Sequence, residues 1–336
     1  MTRAVAAAAL ALLAGCASFE PPPPTRTPLT VSEFADPAVL RAPDGWYYAY
    51  ATQGAPDGRM LNIQVARSRN LARWELLGDA LPQKPAWGSG KQWFWAPHVL
   101  YDAERRTYFM YYSAEPDAAR GKCLAVATAR QPQGPFVDAG QPLVCGDGIE
   151  HIDPMAFDDP RTGRRLLYWG SGKRPLRVQE LAPHRLSFLE GSAATEILPP
   201  DAAREYESLV EAPWVVYREG SYYLFYSGSL CCGPRAHYAV LVARARDAAG
   251  PFERLGAILE RDADWLAPGH PAVAQDDAGT DWLLYHAVDA PAAAATGRHA
   301  GQGAPRLLML ERLAWRDGRP SAAGRPSAGP RGLPRP

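Results

Sequence analysis

Three acids and one imidazole stand in similar local settings in this sequence: Asp36 in FADP, Asp153 in HIDP, Glu211 in VEAP and His270 in GHPAV. Each directly precedes a proline, except Glu211, which sits one place further back. A single Asp before a Pro is an ordinary turn former. Three acids gathered at one opening would repel one another unless they had a task or a counter-ion. Glycoside hydrolysis is such a task. One carboxyl must be protonated to donate to the leaving oxygen, and another must be ionised to activate water or attack carbon. A third acid nearby raises the donor's pKa by like-charge repulsion.

Repetition of one unit is what would bring these residues together. Five segments share a form, a polar residue and a proline, an apolar strand, a turn and an aromatic-rich strand. They are DPAVLRAPDGWYYAYA, APHVLYDAERRTYFMYYSA, DPMAFDDPRTGRRLLYWGS, EAPWVVYREGSYYLFYSGS and HPAVAQDDAGTDWLLYHAV. Their prolines, Pro37, Pro97, Pro154, Pro213 and Pro271, lie 57 to 60 residues apart. Each unit continues into two more short strands, such as CLAVATA and GPFVDAG, or YAVLVARA and GPFERLG. These strands are β-branched and aromatic-rich, and Gly or Asp-Gly turns punctuate them. Four strands in each of five units predict an all-β, five-bladed β-propeller over 29–320, with antiparallel blades around a central channel. A β-sandwich is the alternative, and regular spacing argues against it. In a propeller the innermost strands line the channel, so the polar residues at their entrances, with Ala96 in the second unit, would crowd one mouth.

The chain has 336 residues, with Lys+Arg and Asp+Glu balanced at 36 each, which gives no basic field for nucleic acid. Ten Trp and 15 Tyr supply stacking surfaces suited to a sugar. The start, MTRAVAAAALALLAGCASFE, has one early Arg and an apolar run from Ala4 to Leu13. That run is shorter than the ~20 residues of a spanning helix and fits the core of a secretory signal. Leu13-Ala14-Gly15-Cys16 resembles a bacterial lipoprotein box, which implies a signal over 1–15, lipid on Cys16 and export to a membrane-anchored state. A Pro-rich tether over 16–28 would be extended, and the low-complexity tail over 321–336 disordered. Of the other cysteines, Cys123 and Cys145 are the preferred disulfide pair in an exported chain. Vicinal Cys231 and Cys232 are either joined or reduced. A zinc site is disfavoured because no two separated C-x-x-C pairs occur.

The motifs FADP, WAPHV, HIDPMAF, EAPWV and GHPAV, in this order across five units, resemble those of glycoside hydrolase family 43. The resemblance covers about Phe34 to Pro320. It implies an inverting five-bladed enzyme, with Asp36 as general base, Glu211 as general acid and Asp153 as the acid that orients Glu211 and modulates its pKa. His270 resembles a histidine that faces a central calcium or other cation through water, a hydrogen-bonded channel histidine being the alternative. Arg306 resembles an arginine that contacts sugar hydroxyls. Trp95 stacks on a sugar or packs in its blade, an ambiguity shared by Trp93 and Phe94, while His98 and Ser171 lie near strand ends that could face the cleft. SLCCGPRAHYAVLVARA resembles arabinan-degrading members. The expected activity is therefore hydrolysis of α-L-arabinofuranosyl linkages by a monomer acting on an oligo- or polysaccharide. A β-xylosidase and a non-catalytic glycan-binding propeller are the alternatives. The fifth-unit loop DAPAAAATGRHAGQGAP and the terminal DGRP depart from the family pattern and leave the shape of the sugar subsites open.

Overall fold

A computed structural model describes residues 28–30 and 32–322. The expected leader, most of the tether, Cys16 and nearly all of the expected tail lie outside the described residues. Five antiparallel sheets follow one another along the chain as blades. The first contains β1 (Ala38–Arg41), β2 (Tyr47–Ala51), β3 (Gln64–Ser68) and β4 (Glu75–Asp79). The second contains β5 (Trp95–Asp102), β6 (Thr107–Ala114), β7 (Lys122–Ala129), β8 (Val137–Asp138) and a short β9 (Val144–Gly146) that also pairs with β7. The third is β10 (Met155–Asp158), β11 (Arg165–Trp169), β12 (Leu176–Glu180) and β13 (Thr195–Leu198). The fourth is β14 (Val210–Arg218), β15 (Ser221–Gly228), β16 (Ala239–Ala245) and β17 (Glu253–Leu259). In the fifth, β18 (Trp265–Gln275) and β19 (Asp281–Asp289) are followed by helix α1 (Ala290–Thr296) and the small pair β20 (His299–Ala300) and β21 (Gly303–Ala304). Strands β22 (Leu307–Arg316) and β23 (Arg319–Ala322) then complete that sheet.

Second strands of the blades read YYAYA, TYFMYYSA and SYYLFYSG, with hardly a polar residue, because a blade packs on both faces against its neighbours. All of β2 and β15 is buried accordingly. A strand buried on both faces needs no alternation. Tyrosines use their polar tips to tie blades together: the Tyr50 hydroxyl donates to Pro132 O at 2.6 Å, that of Tyr111 to Arg185 O at 2.9 Å and that of Tyr168 to Ala248 O at 2.7 Å. The ring closes through the N-terminal segment. Leu29 N–H donates to Leu308 O at 2.7 Å and Phe34 N–H to Arg306 O at 2.9 Å, which binds the first blade to the last.

One backbone feature recurs in every blade. The residue before each repeat proline has a positive φ: Asp36 at 55°, Ala96 at 45°, Asp153 at 59°, Ala212 at 54° and His270 at 55°. A residue before proline normally prefers extended backbone, and the left-handed region costs a non-glycine residue about 1–2 kcal/mol. Something must offset that cost five times. In each case the N–H of the strained residue donates to a side chain from the preceding blade. Ala96 donates to Thr52 Oγ1 (3.0 Å), Asp153 to Ser113 Oγ (3.2 Å) and Ala212 to Asp153 Oδ2 (3.0 Å). His270 donates to Ser227 Oγ (2.7 Å) and Asp36 to His286 Nδ1 (3.1 Å). Thr52, Ser113, Ser227 and His286 occupy equivalent places at the ends of second strands. The third blade has Gly170 there, so the Asp153 side chain takes the vacant role.

Toward the other end of the strands, ion pairs join the blades. Arg185, 3% exposed, reaches Asp102 at 2.9 Å and Asp158 at 2.6 Å. Arg218 meets Asp281 at 2.7 Å and Arg41 meets Asp277 at 2.8 Å. The first of these is buried and therefore costly to break, since a lone charge would remain. Burial disfavours ionised Asp102, but hydrogen bonds from Arg185 and the Arg105 N–H outweigh it and hold the carboxyl at about 2. Its stabilising contribution is thus present above the unfolded value of about 4 and lost as pH falls toward the folded one. Arg185→Ala is expected to lower stability by about 3–5 kcal/mol, read as a lower urea midpoint. An unchanged midpoint would show that this bridge is dispensable.

Candidate active site

The inner strands open at one end into a cavity of about 630 Å³. Asp36, Asp153, Glu211, His270 and Arg306 all line it, together with Trp93, Trp95 and the Cys231–Cys232 pair. The backbone kink explains how the acids arrive. Asp36 and Asp153 occupy the strained position itself, whereas Glu211 occupies the place before it, with Ala212 strained. At that preceding position β14 bulges between Glu211 and Trp214, β5 between Trp95 and His98, and β18 on both sides of Gly269. The kinked repeat therefore offers the mouth either of two successive positions, the strained residue itself for Asp36, Asp153 and His270 and the one before it for Trp95 and Glu211. The extra residue between Glu211 and its proline marks a different place in the repeat, not an irregular copy.

Asp36 is surrounded by a hydroxyl donor, a guanidinium and two imidazoles. Thr52 Oγ1 donates to its Oδ2 at 2.5 Å, and Arg306 Nη1 lies 3.2 Å from Oδ1. His270 Nδ1 and His286 Nδ1 approach the same oxygen at 3.5 and 3.4 Å. Burial works against its charge, but Arg306, the two imidazoles and the Thr52 bond outweigh burial and hold the carboxyl far below the usual range. Asp36 is therefore ionised at any working pH. Burial pushes the two imidazoles down, to about 4 for His270 and about 3 for His286, so both are neutral.

Glu211 has the opposite surroundings. Ser171 Oγ donates to Oε2 and the Tyr238 hydroxyl to Oε1, each at 2.6 Å. Burial raises its pKa, partly offset by these two bonds and raised again by the charge of Asp36. Asp153 is raised still more strongly, first by burial and then by Glu211 and Asp36. Of the four acids that line the cavity, Glu33 and Asp36 lie against Arg306 whereas Asp153 and Glu211 lie apart from it, and such a split separates a base from an acid.

Other candidate residues fall into different places. Trp95 lines the cavity, braced by Lys122 Nζ 3.6 Å from its ring centroid and by Trp93 edge-on at 5.6 Å. Trp93 is 47% exposed, while Phe94 is buried in the core between the first two blades. His98 does not line the cavity: it is buried, packs against Trp214 at 5.1 Å and accepts the Ala156 N–H at 3.3 Å. Ser171 lies behind Glu211, 1% exposed, so its partner is the acid and not the cavity. Arg306 bridges Glu33 Oε1 at 2.9 Å and Asp36, which directs its guanidinium first to carboxylates. Disulfides join Cys123 to Cys145 and Cys231 to Cys232. Cys231 and Cys232 present an apolar surface beside Gly301, where a Cβ would come within 3.0 Å of Cys232 Sγ.

For a cation beside His270, the donors are few. Among the described residues no three His, Cys, Asp or Glu side chains converge on a possible metal position. Calcium takes six to eight oxygens, and the Asp36 oxygens already serve Thr52 and Arg306. A cation faced by His270 largely through water, as the family resemblance implies, would need no such cage of protein ligands. Sequence reasoning passed over Thr52, Tyr238, His286 and Glu33. Thr52 and His286 had one available signal, a polar residue closing an aromatic second strand; Tyr238 lay within the SLCCGPRAHYAVLVARA motif, which gave it no role, and Glu33 had no signal.

Among known proteins, the chain is 29% identical over 301 residues to arabinan endo-1,5-alpha-L-arabinosidase C of Emericella nidulans, covering 84% of this chain and 88% of that one. It is 31% identical to beta-D-galactofuranosidase xynD of Aspergillus niger over 75% of this chain and 73% of that one. The crystal structure of a thermostable family-43 glycoside hydrolase superposes with a TM-score of 0.72 at 26% identity, covering 92% of this chain and 99% of that one. The family model for glycosyl hydrolases family 43 matches residues 25–320, which takes in Asp36, Asp153, Glu211 and all of the blades but the last two residues of β23, and the chain belongs to that family.

Proposed function

We propose that this glycosidase hydrolyses α-L-arabinofuranosyl linkages of arabinan or arabinoxylan type by a single displacement with inversion. The observation that carries the reading is the division of the carboxyls in one cavity, Asp36 held charged against Arg306 and Asp153 with Glu211 apart from that cation. Asp36 is the general base. It holds a water by an ionised oxygen and takes its proton as the bond to the anomeric carbon forms. Water bonded to an oxocarbenium-like centre is acidic enough for a weakly basic carboxylate to accept its proton. Glu211 is the general acid and gives its proton to the departing glycosidic oxygen. Asp153 fixes the backbone beside Glu211 through the Ala212 N–H, and its proximity disfavours a second negative charge. Trp95 offers an aromatic face to a sugar ring, and Arg306 holds Asp36 in place while remaining within reach of hydroxyls.

The arabinofuranoside assignment draws support from the arabinan-cleaving relative. The galactofuranosidase relative favours a second reading, a galactofuranoside, since both sugars are furanosides. Release of sugar from arabinan, arabinoxylan, aryl arabinofuranoside, aryl galactofuranoside and aryl xyloside distinguishes these. Asp36→Asn and Glu211→Gln are each expected to lower turnover of the best substrate by at least about a thousandfold while the melting temperature stays near the parent value. Full activity in both variants would refute the roles of base and acid, and NMR of the first-formed anomer showing retention would refute single displacement. A glycan-binding propeller without catalysis would release no sugar from any substrate.

The pH profile follows from the same surroundings. Activity needs Asp36 ionised and Glu211 protonated. The first condition holds down to very low pH, because the Asp36 carboxyl is depressed. The second is lost as pH rises through the raised, shared titration of Glu211 and Asp153. kcat/KM is therefore expected to be flat toward acid until the fold fails and to descend on the alkaline side. An acid limb near the ordinary aspartate value of about 4 would contradict the Asp36 assignment.

The leader motif Leu13-Ala14-Gly15-Cys16 supports export and a lipid anchor at Cys16, with the Pro-rich segment as tether. Cys16→Ser is expected to move the enzyme from the membrane fraction to the soluble fraction and to abolish incorporation of labelled fatty acid. Unchanged labelling would rule out Cys16 as the acceptor.

A further inference from the structure

Glu211 reaches the cavity from the place just before a strained residue, a place held in the fifth blade by Gly269. A Cβ on Gly269 would lie 2.0 Å from Cδ1 and Cε1 of Tyr238, so the tyrosine ring fills the space that a fifth-blade side chain would take. From there its hydroxyl reaches Glu211 Oε1 at 2.6 Å. The same ring stacks on His286, with centroids 5.9 Å apart and planes 18° from parallel, and His286 stacks in turn on His270 at 6.3 Å. His286 Nδ1 accepts the Asp36 N–H. Tyr238 and His286 are 1% and 0% exposed. Tyr238 belongs to one buried apolar cluster with Ala293, Ala300 and Ala304 of the fifth-blade insertion.

We propose that Tyr238, seated on Gly269 and stacked on His286, is a positioning residue that fixes the proton donor relative to the base and steadies the donor's carboxylate once its proton has left. The proposal rests on the reading of Glu211 as general acid. As the glycosidic oxygen takes the proton, Glu211 becomes a carboxylate in a buried site. Hydroxyl donors at both oxygens, Tyr238 on one and Ser171 on the other, stabilise that anion. A donor that favours the anion also keeps the acid strong, against burial and the charge of Asp36, which act the other way; Arg306 acts with it, and Asp153, raised more strongly still, faces Glu211 as its neighbour. His270 and His286 face Asp36 and are neutral.

Tyr238→Phe keeps the ring and its stacking and removes only the hydroxyl. Loss of the donor disfavours the Glu211 anion, so the alkaline limb of the kcat profile is expected to move up by about one pH unit. kcat is expected to fall about tenfold with KM within about twofold, the pattern of an interaction realised in the transition state. Gly269→Ala keeps the hydroxyl but displaces the ring and is expected to lower kcat at least as much; thermal melting of both variants checks that they fold. An unmoved alkaline limb with parental kcat in Tyr238→Phe would overturn the proposal, and so would parental kcat in Gly269→Ala. Glu211→Gln separates the two levels of inference. If it is active, the reading of Glu211 fails. If it is inactive while Tyr238→Phe behaves as the parent, only the role of Tyr238 fails.

Discussion

A hydrogen bond from a strained N–H to the preceding blade, repeated around the ring, is the interaction on which the rest of this structure depends. Each repeat proline is preceded by a residue in left-handed backbone, which a pre-proline residue ordinarily avoids. A single donor bond to Thr52, Ser113, Asp153, Ser227 or His286 offsets that strain and also ties one blade to the next. The kink turns the strained residue or the one before it toward the mouth, so chemistry and closure share the same residues. Thr52 accepts the Ala96 N–H and donates to Asp36; Asp153 accepts the Ala212 N–H and faces Glu211. A blade misplaced by an ångström would loosen the carboxylates together with the ring.

Charge is then divided across the cavity. Arg306 serves both Glu33 and Asp36, which leaves Asp153 and Glu211 with hydroxyl and amide donors in place of a close cation. Had the arginine stood between all three acids, each would have been ionised and no proton donor would remain. Its position at the junction of insertion and last blade explains why ring closure matters for catalysis. The N-terminal segment supplies Glu33 and bonds to Arg306 and Leu308, so the chain start holds the cation that keeps Asp36 charged.

Around this centre the walls differ in character. Trp93 and Trp95 come from the second blade and are braced by Lys122, next in sequence to the Cys123–Cys145 bridge. The vicinal disulfide and Gly301 and Gly303 of the fifth-blade insertion line the cavity too, and a Cβ on Gly301 would come within 3.0 Å of Cys232 Sγ. The insertion that departs from the family pattern thus borders both the cavity and Tyr238.

The sequence by itself determined the repeat, and with it the propeller: prolines at near-constant intervals, aromatic second strands and glycine turns are local signals that survive without tertiary context. It also determined which acids gather, because residues at equivalent places in a closed ring must meet. The family motifs located Arg306 and His270, and exported-protein chemistry suggested the Cys123–Cys145 pair. Tertiary structure alone decided what each acid feels. That Arg306 lies against Asp36, that Ser171 stands behind Glu211 and not in the cleft, and that His98 is a buried acceptor all depend on contacts between residues 40 to 270 positions apart, or on a bulge of one residue. Tyr238 stood inside the SLCCGPRAHYAVLVARA motif with no role attached to it, and its part follows from a missing Cβ at Gly269 on another strand. Periodicity places backbones, whereas protonation is set by distances of a few ångströms between side chains of different blades, and only packing fixes those.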